Sequence, residues 1–314
     1  MHAPSLIPVA LAQCRKYTPF ELKEAVGRIL RAAGFSVRPG SFVLIKPNLV
    51  SAGGGWSHLA CTSPALVRAV AEWLVDHGAR LGIGDSPAFG SGRMVMRACG
   101  MLEALEGLPI KVLDFDRAVS VAFPCGLKIP VARAALECDM LFNLPRFKAH
   151  GQMYVSLAVK NYFGVVTGWR KALHHAQNGD IGNRFEMLLA DLPNLFPNTF
   201  SLIDGIVAMQ RTGPMKGDPY NLGLLGGAFD PVALDTALLE VVGAKPGCSP
   251  LWRECFRRGL PGTDFARLSY PLAKPVELQV GDFLLPDFLN PVTFHPVRIL
   301  VGGCRRLRAR IFPE

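Results

Sequence analysis

The chain has 314 residues, 50% of them hydrophobic and 19% charged, which excludes a disordered or low-complexity protein and gives enough chain for one large α/β domain or two smaller ones. The net charge is +9, but the basic residues are scattered, and the one dense cluster, Arg305, Arg306, Arg308 and Arg310, lies near the C-terminus; we expect small anionic ligands rather than a nucleic-acid partner. Eight cysteines form no C-x-x-C pair, so no intrinsic zinc site or iron–sulfur cluster is expected; with no signal peptide and no apolar run of spanning length, the expected setting is a reducing cytoplasm without a membrane partner.

Pro8 to Cys14 reads as a buried first strand, with the proline at its start. Thr18-Pro19 caps a helix that should run to about Ala33 and stop at Gly34. Phe42 to Ile45 is a second buried strand, ending in Lys46-Pro47-Asn48. The loop after it holds Gly53 to Gly55, which match neither G-x-G-x-x-G nor a Walker loop. Thr62-Ser63-Pro64 opens a helix to His77. Arg80 to Gly84 is a strand with Asp85-Ser86-Pro87 just past it, followed by a glycine-rich turn and a helix to Cys99. Ile110 to Phe115 is the next strand. This alternation predicts an α/β fold: a mostly parallel, doubly wound sheet with helices on both faces.

Val119 to Val131 reads as a small β-hairpin insertion, and Asp139 to Asn143 as a returning buried strand. Thr167 to Asn183 is polar and loop-like, with His174 and His175 adjacent. Arg184 to Leu192 reads as a helix and Phe200 to Ile203 as a short strand ending at Asp204-Gly205. Gln210 to Asn221 is predicted to be a loop, Leu222 to Gly227 a strand or turn, and Asp230-Pro231 the cap of a helix to Val242. Residues 246–291 are proline-rich and irregular, with one helix near Leu251 to Arg258. Arg298 to Val301 is predicted as a last strand. Residues 1–243 read as one α/β domain, with two lobes near 1–118 and 138–243, and 244–314 as an extension packed on it.

The polar residues that could carry chemistry collect at predicted strand ends: Asn48, Asp85, Asp204 and the Lys148–His150 pair. In open α/β sheets, ligands bind outside those ends. Lys148 and His150 are two apart and share a side of an extended segment. Lys160 and Asn161 end an apolar run, where an unpaired charge is costly. A lysine beside a histidine lowers the histidine's pKa and can lower its own, which suits proton transfer near neutral pH. The plainer readings stand beside these. Ser63, Ser86, Asp85 and Asp230 sit where caps sit, and Lys46 can snorkel from a sheet edge. His150, His175 and an aspartate lack compact metal-ligand spacing, so no metal set is assigned. No cysteine shows an activating environment.

VLIKPNLV (43–50), TSPALVRAVAEWL (62–74), GIGDSP (82–87), NLPRFKAHGQ (143–152), LAVKNYFGVV (157–166), LIDGIVAMQRTGP (202–214) and GGAFDPVALDTALLEVVG (226–243) together resemble the DUF362 family, in its order. The resemblance implies an anion-friendly site around Lys46, Asn48, Lys148, His150, Lys160 and Asn161, and weight on Asp204 and Asp235. Many relatives carry a ferredoxin-type cluster domain, absent here, which implies redox-neutral chemistry or a separate electron carrier. The organisation is also distantly similar to lactate-racemase-like proteins, whose catalytic residues find no match.

The sequence therefore leads us to expect an enzyme of unassigned reaction on a small carboxylate- or phosphate-bearing substrate. Lys148, His150, Lys160, Asp85 and Asp204 are the candidate catalytic groups. Lys46, Asn48, Ser63, Ser86, Asn161, His175 and Asp235 are the candidate binding groups. Two other readings are a redox accessory protein served by a separate ferredoxin or flavin carrier, and a non-catalytic binding protein.

Overall fold

Val43 and Ile45 face one apolar layer and Leu44 the opposite one, as strand alternation dictates. A strand buried on both faces belongs in the middle of a covered sheet. In the computed structural model, which describes residues 5–52, 57–87, 90–167 and 183–290, Phe42–Pro47 is such a strand. The sheet runs Ile110–Val112, Arg80–Ile83, Phe42–Pro47, Met140–Leu144, Thr199–Gln210, Leu224–Ala228, Ala10–Gln13. The first five are joined in parallel and the last two junctions are antiparallel.

Helices cover both faces. Leu22, Val26 and Ile29 of Pro19–Ala32 and Leu66, Val70 and Leu74 of Pro64–Asp76 fill one layer. Leu188 and Leu189 of Arg184–Asp191 and Leu234 and Leu238 of Pro231–Val241 belong to the clusters on the other side. The punctuation works as read except at Thr18, which precedes its helix without a side-chain cap bond. Pro19 opens its helix, Gly34 follows the cap with φ +70°, a conformation that disfavours side chains, and Asp230 accepts from the amides of Val232 and Ala233. The predicted hairpin is present as Ala118–Ala122 paired with Lys128–Ala132.

Two expectations are corrected. The strand predicted to end at Asp204-Gly205 runs on as Thr199–Gln210, so Asp204 lies mid-strand rather than at a carboxyl end. The punctuating glycine misleads here. Gly205 pairs with Leu224, and a side chain there would press on that residue's carbonyl at 3.0 Å, so glycine permits close strand approach rather than a turn. The predicted loop 210–221 also holds a short strand, Asp218–Tyr220, paired with Ala208 to Gln210. The strand proposed for Arg298 to Val301 lies outside the described residues.

Past Pro145, the chain of Met140–Leu144 continues as Arg146–His150. This segment pairs with the far half of the long strand, Arg146 opposite Asp204 and Lys148 opposite Met209. Tyr154–Ser156 folds back on it. Beyond residue 243, Pro250–Arg257 packs on Arg184–Asp191, and Leu268–Ser269 pairs with Ile7–Pro8.

Candidate functional site

Lys46 continues the alternation of its strand on the Leu44 side and is fully buried. Its ammonium lies 2.8 Å from Asp85 Oδ1. Burial lowers the Lys46 pKa, and the carboxylate opposes that shift. Asp85 sits two residues past the Arg80–Ile83 strand, where its Oδ2 accepts from the Leu49 amide at 2.9 Å. The pair is roofed by Gly164. A Cβ on that glycine would lie 1.9 Å from Asp85 Oδ1 and 2.3 Å from Lys46 Nζ. The Ser86 amide donates to the Gly164 carbonyl at 2.9 Å, which fixes the roof.

Lys148 is 1% exposed and has no carboxylate partner among the described residues. It donates to Asn48 Oδ1 and, at 3.0 Å, to the Ala60 carbonyl. Burial first, and then the nearby Lys160 charge, bring its pKa down to about 7. Lys160 follows at about 8, lowered by burial and by Lys46. Lys160 is partly exposed and, among the described residues, has no hydrogen-bond or ion-pair partner. Its neighbour Asn161 donates to Asn143 Oδ1 at 2.8 Å, and Asn143 donates to Ser201 at 3.0 Å. Asn161 thus locks the lysine's turn to the sheet.

That turn is held from behind. Asp235 accepts from the amides of Ala158 and Val159 at 2.7 and 3.1 Å. Burial nevertheless pushes its carboxyl up to about 8, against the pull of those two donors. Asp204 is enclosed differently. Arg146 reaches its Oδ2 at 2.5 Å, the Ser63 amide donates to the same oxygen at 2.8 Å, and the Tyr17 hydroxyl donates to Oδ1 at 2.6 Å. Ser63 therefore meets the cluster through its backbone, and its side chain does not cap the helix. His150 Nδ1 accepts from the amides of Gln152 and Met153 at 3.1 and 3.2 Å, which puts the proton of the neutral ring on Nε2.

The structure thus brings Lys46, Asn48, Asp85, Ser86, Lys148, Lys160 and Asn161 to one rim of the sheet. It sets Asp204 and Ser63 in an adjoining structural cluster and Asp235 behind the turn. His175 lies outside the described residues. Sequence reading missed Arg146, although Arg146, Lys148 and His150 recur at the two-residue spacing of one strand face. It also missed Cys61, taken as an ordinary thiol. A hydrogen bond from Cys99, with help from the Lys148 charge, brings Cys61 down to about 7 against its burial. A larger hollow, about 790 Å³, lies at the opposite rim beside Arg38, Asp139 and Asn198. The cations with lowered pKa values lie instead at the carboxyl rim, the side of an open α/β sheet at which ligands bind. No group of three metal-ligating side chains converges among the described residues.

The sequence matches the family described as a domain of unknown function, DUF362, over residues 43–240, more than half of the chain. This protein belongs to the DUF362 family. The chain is similar to a thylakoid-associated protein of Synechocystis sp., 34% identical over 310 residues, which cover 98% of this chain and 96% of that one. Among solved structures, the lactate racemase apoprotein from Thermoanaerobacterium thermosaccharolyticum aligns with 76% of the chain at 13% identity and a TM-score of 0.47. A Thermotoga maritima protein aligns with 70% at 10% identity and a TM-score of 0.41. The alignment spans 57% of each of these two longer chains.

Proposed function

We propose that this DUF362 protein is an enzyme acting on a small substrate that carries a carboxylate or phosphate, with Lys160 holding the anion and Lys148 moving a proton. One observation carries the reading: Lys148 is buried in the sheet against two neutral oxygens, not a carboxylate. A structural lysine in such a place would be paired. An amine that gives two N–H bonds to fixed acceptors keeps its third direction for a lone pair or an exchangeable proton. With a pKa of about 7 it can hold either at neutral pH. In this reading Asn48 aims Lys148 and Asn161 sets the height of Lys160. The Lys46–Asp85 and Arg146–Asp204 pairs are the frame.

The test is an isotope wash-in across a panel of compounds. The protein is incubated in D₂O with pools of small carboxylates and phosphate esters, and each compound is followed by NMR and mass spectrometry. Wild type should label or convert at least one compound, and Lys148→Met should not. Equal behaviour of the two proteins, or no change in any compound, would sink the assignment. A compound retained by the protein but never altered would make this a binding protein instead.

We also propose a cytoplasmic setting. No helix among the described residues is long and apolar enough to cross a membrane. An association like that named for the Synechocystis relative would, on this reading, be peripheral.

A further inference from the structure

Counting charges across the site narrows the ligand. Lys46 is closed by Asp85 and Arg146 by Asp204. Among the described residues, Asp85 and Asp204 are thereby each engaged by one cation. Lys148 and Lys160 remain, the first bonded only to neutral oxygens and the second to nothing among the described residues. The Nε–H of Arg146, buried two residues before Lys148 on the same strand face, also lacks an acceptor. Among the described residues, two ammoniums without an ion-pair partner and one Arg146 N–H without an acceptor are thus left at this rim. Such a deficit is costly in an empty site and is relieved by a ligand of matching charge.

We infer that the anionic group bound here is a compact dianion, a phosphate monoester or a short dicarboxylate, held between Lys148 and Lys160. The inference rests on the function proposed above and specifies its substrate class. It carries a consequence that a singly charged ligand would not produce to the same degree. In the empty protein the two ammoniums repel each other and Lys148 gives up its proton readily. The groups acting on it are Lys160, Arg146 and burial on one side, and Cys61 and Asp85 on the other. Two negative charges arriving between the lysines reverse that balance. A proton leaves solvent for the Lys148 amine, with no other bond made or broken, and binding leaves the site charged with an acid.

Calorimetric titration of the full chain at pH 7.5 tests this, with inorganic phosphate, malonate and acetate as probes, each in two buffers of different ionisation enthalpy. Phosphate or malonate should bind about tenfold or more tighter than acetate. Malonate, fully ionised at this pH, should take up most of one proton, and phosphate less, by the proton its monoanion gives up on binding as the dianion. Preference for phosphate over malonate would assign a phosphate ester, and the reverse a dicarboxylate. Lys160→Met should erase the preference for the dianion, and Lys148→Met, checked for folding by its thermal transition, should erase the proton uptake. Acetate binding as well as both dianions would overturn the inference and leave anion binding intact, as would dianion binding without proton uptake. Failure of every anion to bind would overturn the proposed function as well.

Discussion

Gly164 is where one methyl group decides whether the buried pair can form. A side chain there meets Asp85 and Lys46 at distances no atom can occupy. Gly164→Ala must therefore push the ion pair apart, and we expect a loss of about 3 kcal/mol in urea denaturation. Lys46→Met should cost about 3–5 kcal/mol, because it strands the Asp85 carboxylate in the interior. Adding Asp85→Asn to Lys46→Met should recover a large part of that loss. If the double variant is no more stable than the single, the pair is not the reason Lys46 is buried. Lys46, Lys148 and Lys160 stood out in the sequence, because a cation that ends or interrupts an apolar run has few places to go. Their partners were not. Asp85 lies 39 positions beyond Lys46 in the chain, and nothing local announces that they touch.

At the scale of elements, the turn carrying Lys160 depends on Pro231–Val241 behind it. Asp235 satisfies two amides that would otherwise be orphaned as that short turn begins. Asp235→Ala should cost about 2 kcal/mol and speed amide exchange across residues 157–161. Asp235→Asn, which keeps one acceptor, should be intermediate, and equal exchange in all three proteins would remove the turn's dependence on this helix. Capping logic had singled out Asp230 correctly. The long strand shows where local reading ends, since Asp204-Gly205 looks like a stop in isolation. It is held open as strand by Met140–Leu144 and Arg146–His150 on one side and Leu224–Ala228 on the other. Pairing across dozens of residues overrode the punctuation.

For the molecule as a whole, the lysines tie stability to pH. Lys148 and Lys160 titrate near 7 and 8 when folded, against 10.5 for an ordinary lysine. Between those values the unfolded chain binds more protons than the folded one, so their contribution makes stability rise with pH. Asp235, raised to about 8, works the opposite way below that value. Buried thiols such as Cys14 and Cys138, raised to about 11, do so above their ordinary value of 9.0. Comparison with a variant separates these terms. The melting temperature of wild type should gain on that of Lys148→Met from about pH 7 to 9. A constant difference across that range would mean that Lys148 stays charged in the folded protein. The alternating strands and helices made the parallel centre readable from sequence. The antiparallel side was not, because Leu224–Ala228 and Ala10–Gln13 meet from opposite ends of the chain.

Asp204 gathers Tyr17, Ser63 and Arg146, which lie 187, 141 and 58 positions before it. During synthesis, every lysine of the site leaves the ribosome before the carboxylate that braces the adjoining cluster. A nascent chain halted short of residue 199 would carry all those cations with an unbraced rim. Its assembly must wait for the strand that emerges last among them.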